Sequence, residues 1–161
     1  MAERDFVESL RLFHKHRVRY CIVGAYAIAF HARPRHTKDL DIFVEPSLTN
    51  GQRIIEALRE FGFGGLRLTA EDFARPERFI HLGYEPVRVD LLTSLGGFTF
   101  EQAWRHRALG QYGNARVPFI GREELIRNKT LVGRRQDQAD LEHLRPRKAR
   151  RIKGRKPTTR S

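Results

Sequence analysis

The sequence predicts one α/β (α+β) domain built around a mixed β-sheet. Apolar residues at helical spacing alternate along the chain with short apolar runs, and glycine or proline follows most of these runs. The length of 161 residues accommodates one domain with a hydrophobic core, and a 40% share of hydrophobic residues excludes wholesale disorder. Because helix and strand signals alternate, we expect a sheet of about five strands flanked by helices.

The first half of the chain alternates between predicted helices and strands. In order, they are an amphipathic helix on Phe6, Val7, Leu10 and Phe13, a buried strand over 19–23, an alanine-rich helix over 25–32, a strand over 39–44, and a helix on Ile54, Ile55, Leu58 and Phe61. Pro34 ends the alanine-rich helix because the residue before a proline avoids the α region. Gly62 ends the last of these helices.

The second half continues the alternation. It contains, in order, a short helix that starts near 69, strands over 79–82 and 87–92 joined by a turn at 83–86, a helix over 99–104, an extended piece over 117–120, and helices over 122–131 and 136–144. Thr99 predicts the start of its helix, because it can cap the first turn together with Gln102 three positions later.

The positive charge of the chain is concentrated at its C-terminal end. The net charge is +12, but residues 145–161 hold nine basic side chains and no acidic one, so residues 1–144 carry only +3. With its prolines and glycine and almost no apolar side chains, this segment is predicted to be a disordered basic tail. We therefore divide the chain into a folded domain, 1–144, and a tail, 145–161, that could contact RNA.

Composition also limits where the protein works. No apolar run approaches the roughly 20 residues of a membrane span, and the N-terminus lacks a signal-peptide profile. Cys21 is the single cysteine, which excludes an internal disulfide and fits a reducing compartment. We expect a cytoplasmic protein with no membrane partner, and we leave a homodimer open.

Three acids are candidates for a metal site. Side chains two apart in a strand point the same way, so Asp39 and Asp41 share one face while Leu40 and Ile42 take the other. Like charges at such positions repel unless a cation lies between them, and magnesium favours carboxylate oxygens. Asp90, in a later apolar strand, can join them if the two strands are neighbours. A solvated strand end is the alternative for each acid taken alone.

Gly24 lies between a strand and a helix, ahead of the two acids. The first turn of a helix has unpaired backbone N–H groups and the positive end of the helix dipole, and both favour a phosphate. The order of parts is therefore a phosphate-binding turn, two acids on the next strand, and a third acid later in the chain.

These parts resemble the signature of DNA polymerase beta-like nucleotidyltransferases. That signature is a Gly-Gly or Gly-Ser turn, a helix, Asp-x-Asp or Asp-x-Glu on a strand, and a third acid on a later strand. Here it corresponds to VGAYA at 23–27, RHTKDLDIFV at 35–44 and the strand that ends at 92. Residues 127–141 are similar to the closing helices of small bacterial members, including those grouped with abortive-infection, toxin–antitoxin-type proteins. The resemblance covers most of residues 18–144 and implies the nucleotidyltransferase fold.

The resemblance also implies roles for the acids. Asp39 and Asp41 would hold two magnesium ions. Asp90 would hold the catalytic ion and help to activate the attacking hydroxyl. Gly24 would let the backbone approach the triphosphate, for example that of ATP.

Further positions are implied as nucleotide contacts. The residues beside the first acid, Arg35, Thr37 and Lys38, could touch phosphates, with a surface loop as the alternative. Lys129 could reach a phosphate from the closing helices, with a solvated helical lysine as the alternative. Ala25 departs from the family pattern, because it lacks the hydroxyl that a serine would offer a phosphate at this position.

The leading hypothesis is a magnesium-dependent nucleotidyltransferase. It would move a nucleoside monophosphate from a nucleoside triphosphate to an acceptor hydroxyl on RNA, a protein or a small molecule. The alternative is a weakly active or inactive protein of the same fold that binds a protein or RNA, in the manner of a toxin–antitoxin module. Ala25 and the basic tail favour the alternative, and the three acids favour the enzyme.

Overall fold

The computed structural model describes residues 2–32, 38–63, 67–84, 87–132 and 135–144. Two predicted phosphate contacts, Arg35 and Thr37, lie outside the described residues. The predicted basic tail, 145–161, also lies outside them.

Helices and strands alternate as the sequence predicts. The helices are α1 (Ala2–Lys15), α2 (Gly24–His31), α3 (Leu48–Leu58), α4 (Ala70–Ala74), α5 (Phe100–Arg105), α6 (Arg122–Val132) and α7 (Arg135–Leu144), and a π-helical turn, Arg59–Phe63, follows α3. The strands are β1 (Tyr20–Val23), β2 (Asp39–Val44), β3 (Phe79–Tyr84), β4 (Val87–Leu92), β5 (Ala108–Tyr112) and β6 (Ala115–Phe119). The predicted α+β class with a mixed sheet is confirmed.

The described strands form one six-stranded sheet in the order β3-β4-β2-β1-β6-β5. β1 is antiparallel to β2 and parallel to β6, whereas β2 and β4 are parallel. We expected about five strands, and β5 is the one that we did not predict. The sequence of β5, ALGQY, has neither a continuous apolar run nor a β-branched residue. Its burial alternates along the strand because β5 lies at the edge of the sheet.

The central strands are buried on both faces. On one face Tyr20 packs against Phe13 of α1, with ring centroids 5.4 Å apart. On the other, Phe43 packs against Phe100 of α5, with ring centroids 5.2 Å apart. Since β1 and β2 lie between these two layers, they are a rigid support for residues at their ends.

Side-chain caps fix where two helices begin. The Ser47 hydroxyl accepts the backbone N–H of Asn50 at 3.1 Å, so α3 starts several residues before its apolar pattern does. Thr99 and Gln102 form the predicted capping box at the start of α5, with Thr99 N donating to Gln102 Oε1 at 2.9 Å.

None of the helices in the described ranges has both the length and the apolar composition that crossing a bilayer requires.

Candidate active site

The three predicted carboxylates meet where β2 and β4 run side by side. In this parallel pair, Asp41 is directly opposite Asp90 and Asp39 is opposite Arg88. Alternation along the strands places all four side chains on one face of the sheet. The sequence-based condition that the two acidic strands be neighbours is therefore met.

Two basic side chains hold Asp90, which is only 4% exposed. Its Oδ1 atom accepts a hydrogen bond from Nε of Arg88 at 3.2 Å and lies 2.6 Å from Nδ1 of His81. His81 reaches it from β3, because the β3–β4 hairpin pairs His81 with Asp90. The buried carboxylate is thus satisfied by a charge-assisted hydrogen bond from Arg88 and by the contact with His81.

The surroundings of Asp41 raise the pKa of its carboxyl group. The pKa of Asp41 is raised to about 7, first by burial and then by the charge of Asp90, a hydrogen bond between these two carboxyl groups and the charge of Asp39. Arg88 offsets this pKa shift only in part. Asp41 therefore keeps its proton up to near-neutral pH unless another cation joins the cluster.

Gly24 begins α2 directly against Asp41. Its φ is +67°, in the left-handed region, and a Cβ atom at this position would lie 2.3 Å from Oδ2 of Asp41. Both the backbone conformation and the close approach of the carboxylate require glycine here. The predicted turn thus places the start of a helix beside the acids.

Replacing Gly24 with alanine is expected to destabilise the protein and to abolish any activity that depends on the position of Asp41. The left-handed backbone alone costs about 1–2 kcal/mol for alanine, and the added methyl must displace the carboxylate. Thermal unfolding and nucleotide-transfer assays measure the two effects. Gly62→Ala is the matched control, because Gly62 has φ +113° and no described atom lies within 4 Å of its Cβ position. Equal behaviour of the two variants would show that the contact with Asp41 has no role.

The first turn of α2 leaves backbone N–H groups beside the carboxylates. Val23 occupies the N-cap position, where an apolar side chain cannot accept a hydrogen bond, and the first turn of α2 contains no acidic residue. Gly24 and Ala25 are the first two residues of this helix. An anion bound here would face the positive end of the helix dipole.

The other predicted phosphate contacts lie in different surroundings. Lys38 is exposed and immediately precedes Asp39. Lys129 is buried, not solvated: its ammonium lies 3.7 Å from Oδ2 of the fully buried Asp140, between α6 and α7. A buried lysine needs such a carboxylate to offset its desolvation. The phosphate roles of both lysines stay predictions.

The donor set suits a hard divalent cation, although it is not preassembled. Within the described ranges, no three His, Cys, Asp or Glu side chains are already arranged around one metal position. Oδ1 of Asp90 is instead in contact with Arg88 and His81. Three adjacent carboxylates, one with a raised pKa, nevertheless match the oxygen ligands and positive charge of magnesium.

His81 and Arg88 were not among the residues that the sequence singled out. Arg88 could have been found, because it is two residues before Asp90 in the same strand and must share its face. Finding His81 requires knowledge of the register in which β3 pairs with β4. The antiparallel pairing of β3 with β4 brings Tyr84 opposite Val87 and therefore places His81 opposite Asp90.

Solved nucleotidyltransferases share this architecture. The lincomycin-bound crystal structure of the lincosamide antibiotic adenylyltransferase LnuA is similar with a TM-score of 0.52 and 16% identity, over 89% of this chain and 96% of that one. A putative nucleotidyltransferase from Thermotoga maritima is similar with a TM-score of 0.54 and 15% identity, over 88% and 92% of the two chains. An antigenic nucleotidyltransferase-like protein from Paracoccidioides brasiliensis has a TM-score of 0.55 and 14% identity, over 88% and 75%.

The likeness lies in structure and not in overall sequence. No protein-family model matches the chain, and no curated protein matches it significantly. The three structural similarities establish that the chain has the nucleotidyltransferase fold, as the sequence motifs implied.

Proposed function

We propose that the protein is a magnesium-dependent nucleotidyltransferase that transfers a nucleoside monophosphate from a nucleoside triphosphate to an acceptor hydroxyl. One observation carries this proposal. Asp41 is opposite Asp90, with Asp39 on the same face and the start of α2 at Gly24 in contact with Asp41. Acids that share a face beside an anion-binding helix start are suited to a cation–triphosphate substrate.

The chain's own groups supply most of the chemistry. The N–H groups at the start of α2 would orient the triphosphate, and Asp39, Asp41 and Asp90 would hold two magnesium ions. These ions would neutralise phosphate charge and lower the pKa of the attacking hydroxyl.

The transfer step is an in-line displacement at the α-phosphorus. The acceptor oxygen forms a bond to this phosphorus while the bond to the oxygen that bridges to the β-phosphate breaks. Pyrophosphate leaves with the bonding electron pair, and Asp90 accepts the hydroxyl proton. Before this step the Asp90 carboxylate must leave its contacts with Arg88 and His81 so that it can face the bound substrates.

Label transfer tests the proposal. The protein is incubated with magnesium, cell extract and each nucleoside triphosphate labelled at the α-phosphate, and the labelled product is then isolated. We expect covalent label on a small molecule, an RNA or a protein with the wild type, and none with Asp90→Asn. Equal labelling by the two proteins would contradict the proposal.

Ala25→Ser is expected to tighten nucleotide binding. A serine hydroxyl at the second position of α2 would add one hydrogen bond to a phosphate, worth about 1 kcal/mol or somewhat more. The expected decrease in Kd for a magnesium–nucleoside triphosphate is about five- to tenfold, measured by calorimetry. Ala27→Ser, in the buried part of the same helix, is the control. An unchanged Kd for Ala25→Ser would indicate that the phosphates do not reach this turn.

A binding role without catalysis is the second candidate, and Ala25 is the observation that favours it. It predicts that the fold binds a protein or RNA while millimolar nucleoside triphosphate with magnesium produces no binding heat. RNA affinity that decreases steeply with salt and disappears on deletion of residues 145–161 would support a role of the tail. The homodimer and the cytoplasmic location stay predictions of the sequence.

A further inference from the structure

An exposed aromatic ring adjoins the carboxylate cluster at the edge of the sheet. Phe79 and His81 alternate along β3 onto the same face, and their ring centroids are 4.5 Å apart. His81 in turn contacts Asp90. Phe79 is 51% exposed, so roughly half of a large apolar side chain remains in water. Among the exposed large apolar side chains of the described residues, it is the one whose ring contacts this histidine.

A cleft opens beside Phe79. Its volume is about 700 Å³, within the range of small-molecule sites. Its apolar lining includes Phe79, Leu92 and Leu95, and Glu77 and Arg78 also line it. Because Phe79 is paired with Leu92 across the β3–β4 hairpin, two residues along from the His81–Asp90 pair, these two side chains are on the same face as Asp90.

Hydrogen bonds from backbone N–H groups to side-chain hydroxyls hold the walls of the cleft in place. Glu77 N donates to Oγ of Ser94 at 2.8 Å, and Arg78 N donates to Oγ1 of the buried Thr93 at 2.8 Å. Glu77 itself has a φ of +58°, which a residue other than glycine or asparagine adopts only when its surroundings enforce it. The cleft is therefore a built feature of the strand ends.

The sheet sets the direction from which an acceptor can approach. Asp41, Asp90 and His81 form a row across β2, β4 and β3, with Gly24 against the Asp41 end. If the triphosphate lies at the Gly24 end, the in-line geometry places the attacking hydroxyl on the opposite side of the phosphorus. That side is the open β3 edge, with His81 and Phe79.

We propose that Phe79 and the adjoining cleft bind the acceptor, a small hydroxylated molecule with an apolar ring face that packs on the Phe79 ring. This inference rests on the proposed nucleotidyl transfer and specifies its acceptor. The cleft volume suits a small molecule. The described lining has one acidic and one basic residue, Glu77 and Arg78, and so lacks the uniformly basic track that follows an RNA backbone. During transfer, the ring hydroxyl forms the new O–P bond, pyrophosphate leaves, and the proton passes to Asp90.

Phe79→Ala tests the proposal in the label-transfer reaction, with the low-molecular-mass fraction of a cell extract as the acceptor pool. Removing a stacking ring typically costs fivefold or more in binding. We expect the half-saturating amount of this fraction to rise about tenfold while the Kd for magnesium–nucleoside triphosphate stays unchanged. Phe79→Tyr, which keeps the ring, is expected to restore the wild-type value. Leu109→Ala is the matched control, since Leu109 is 53% exposed on β5 at the opposite edge of the sheet.

The outcomes separate this inference from the proposed function. Wild-type labelling of RNA or protein in place of a small molecule would overturn the acceptor class, and equal saturation curves for wild type and Phe79→Ala would overturn the role of the ring. In both cases nucleotidyl transfer itself would stand. An absence of any wild-type labelling, together with an absence of nucleotide binding, would overturn both proposals.

Discussion

Asp41→Asn is expected to reduce nucleotidyl transfer by at least about 10²–10³-fold, the usual cost of removing a group that stabilises transition-state charge. The substitution removes the negative charge that faces both Gly24 and Asp90 and keeps the size of the side chain. Initial rates with an α-labelled nucleoside triphosphate measure the effect, at saturating magnesium.

The control is Glu8→Gln, which makes the same chemical change at an exposed position of α1. We expect wild-type rates from it. Retention of more than a tenth of wild-type transfer by Asp41→Asn would be incompatible with a site built on these acids.

The same Asp41→Asn substitution is expected to stabilise the protein in the absence of divalent cations. At pH 8 an ionised Asp41 is buried beside two other carboxylates, and burial and their charges raise its pKa from 3.8 to about 7. Each pKa unit corresponds to about 1.4 kcal/mol, so removing the charge should raise the free energy of unfolding by about 2–4 kcal/mol after allowance for partial solvation. Denaturant unfolding in EDTA measures this difference.

The pH dependence of the unfolding free energy tests the sign of this stabilisation. Because the pKa of Asp41 is higher in the folded state, the folded protein binds more protons between about pH 4 and pH 7, and this group's contribution to stability falls as pH rises through that range. The difference in unfolding free energy between Asp41→Asn and wild type should therefore be small at pH 4 and largest above pH 7. A variant less stable than wild type at pH 8 would contradict this account.

Loss of activity together with a gain in stability in Asp41→Asn would indicate that the charge of Asp41 serves function and not folding. Such a result would exclude misfolding as the cause of the lost transfer. It would also explain why an acid stands at a position where an uncharged side chain of the same size gives a more stable protein.

Local signals in the sequence predicted much of the fold. The strands expected over 39–44 and 87–92 coincide with β2 and β4, and Thr99 caps α5 as its spacing indicates. Continuous apolar runs and capping residues act over a few positions, so they can be recognised without knowledge of the tertiary structure. β5 was missed because its half-exposed side chains reflect its place at the edge of the sheet.

The site was predictable where it depends on order along the chain, and not where it depends on register or packing. Gly24, Asp39, Asp41 and Asp90 follow one another in a recognisable pattern. The contact between His81 and Asp90 depends on how two strands pair, and the burial of Lys129 depends on how Asp140 packs against it from another helix. Long-range pairing is set by the whole chain, and local patterns do not determine it.

Calorimetry with each nucleoside triphosphate tests the central claim most directly, namely that these carboxylates and the start of α2 bind a cation–triphosphate complex. We expect saturable binding of at least one nucleoside triphosphate in magnesium, and loss of this binding both in EDTA and in the Asp39→Asn/Asp41→Asn double variant. An absence of binding heat for the wild type at millimolar ligand, or equal affinity with and without magnesium, would contradict the claim.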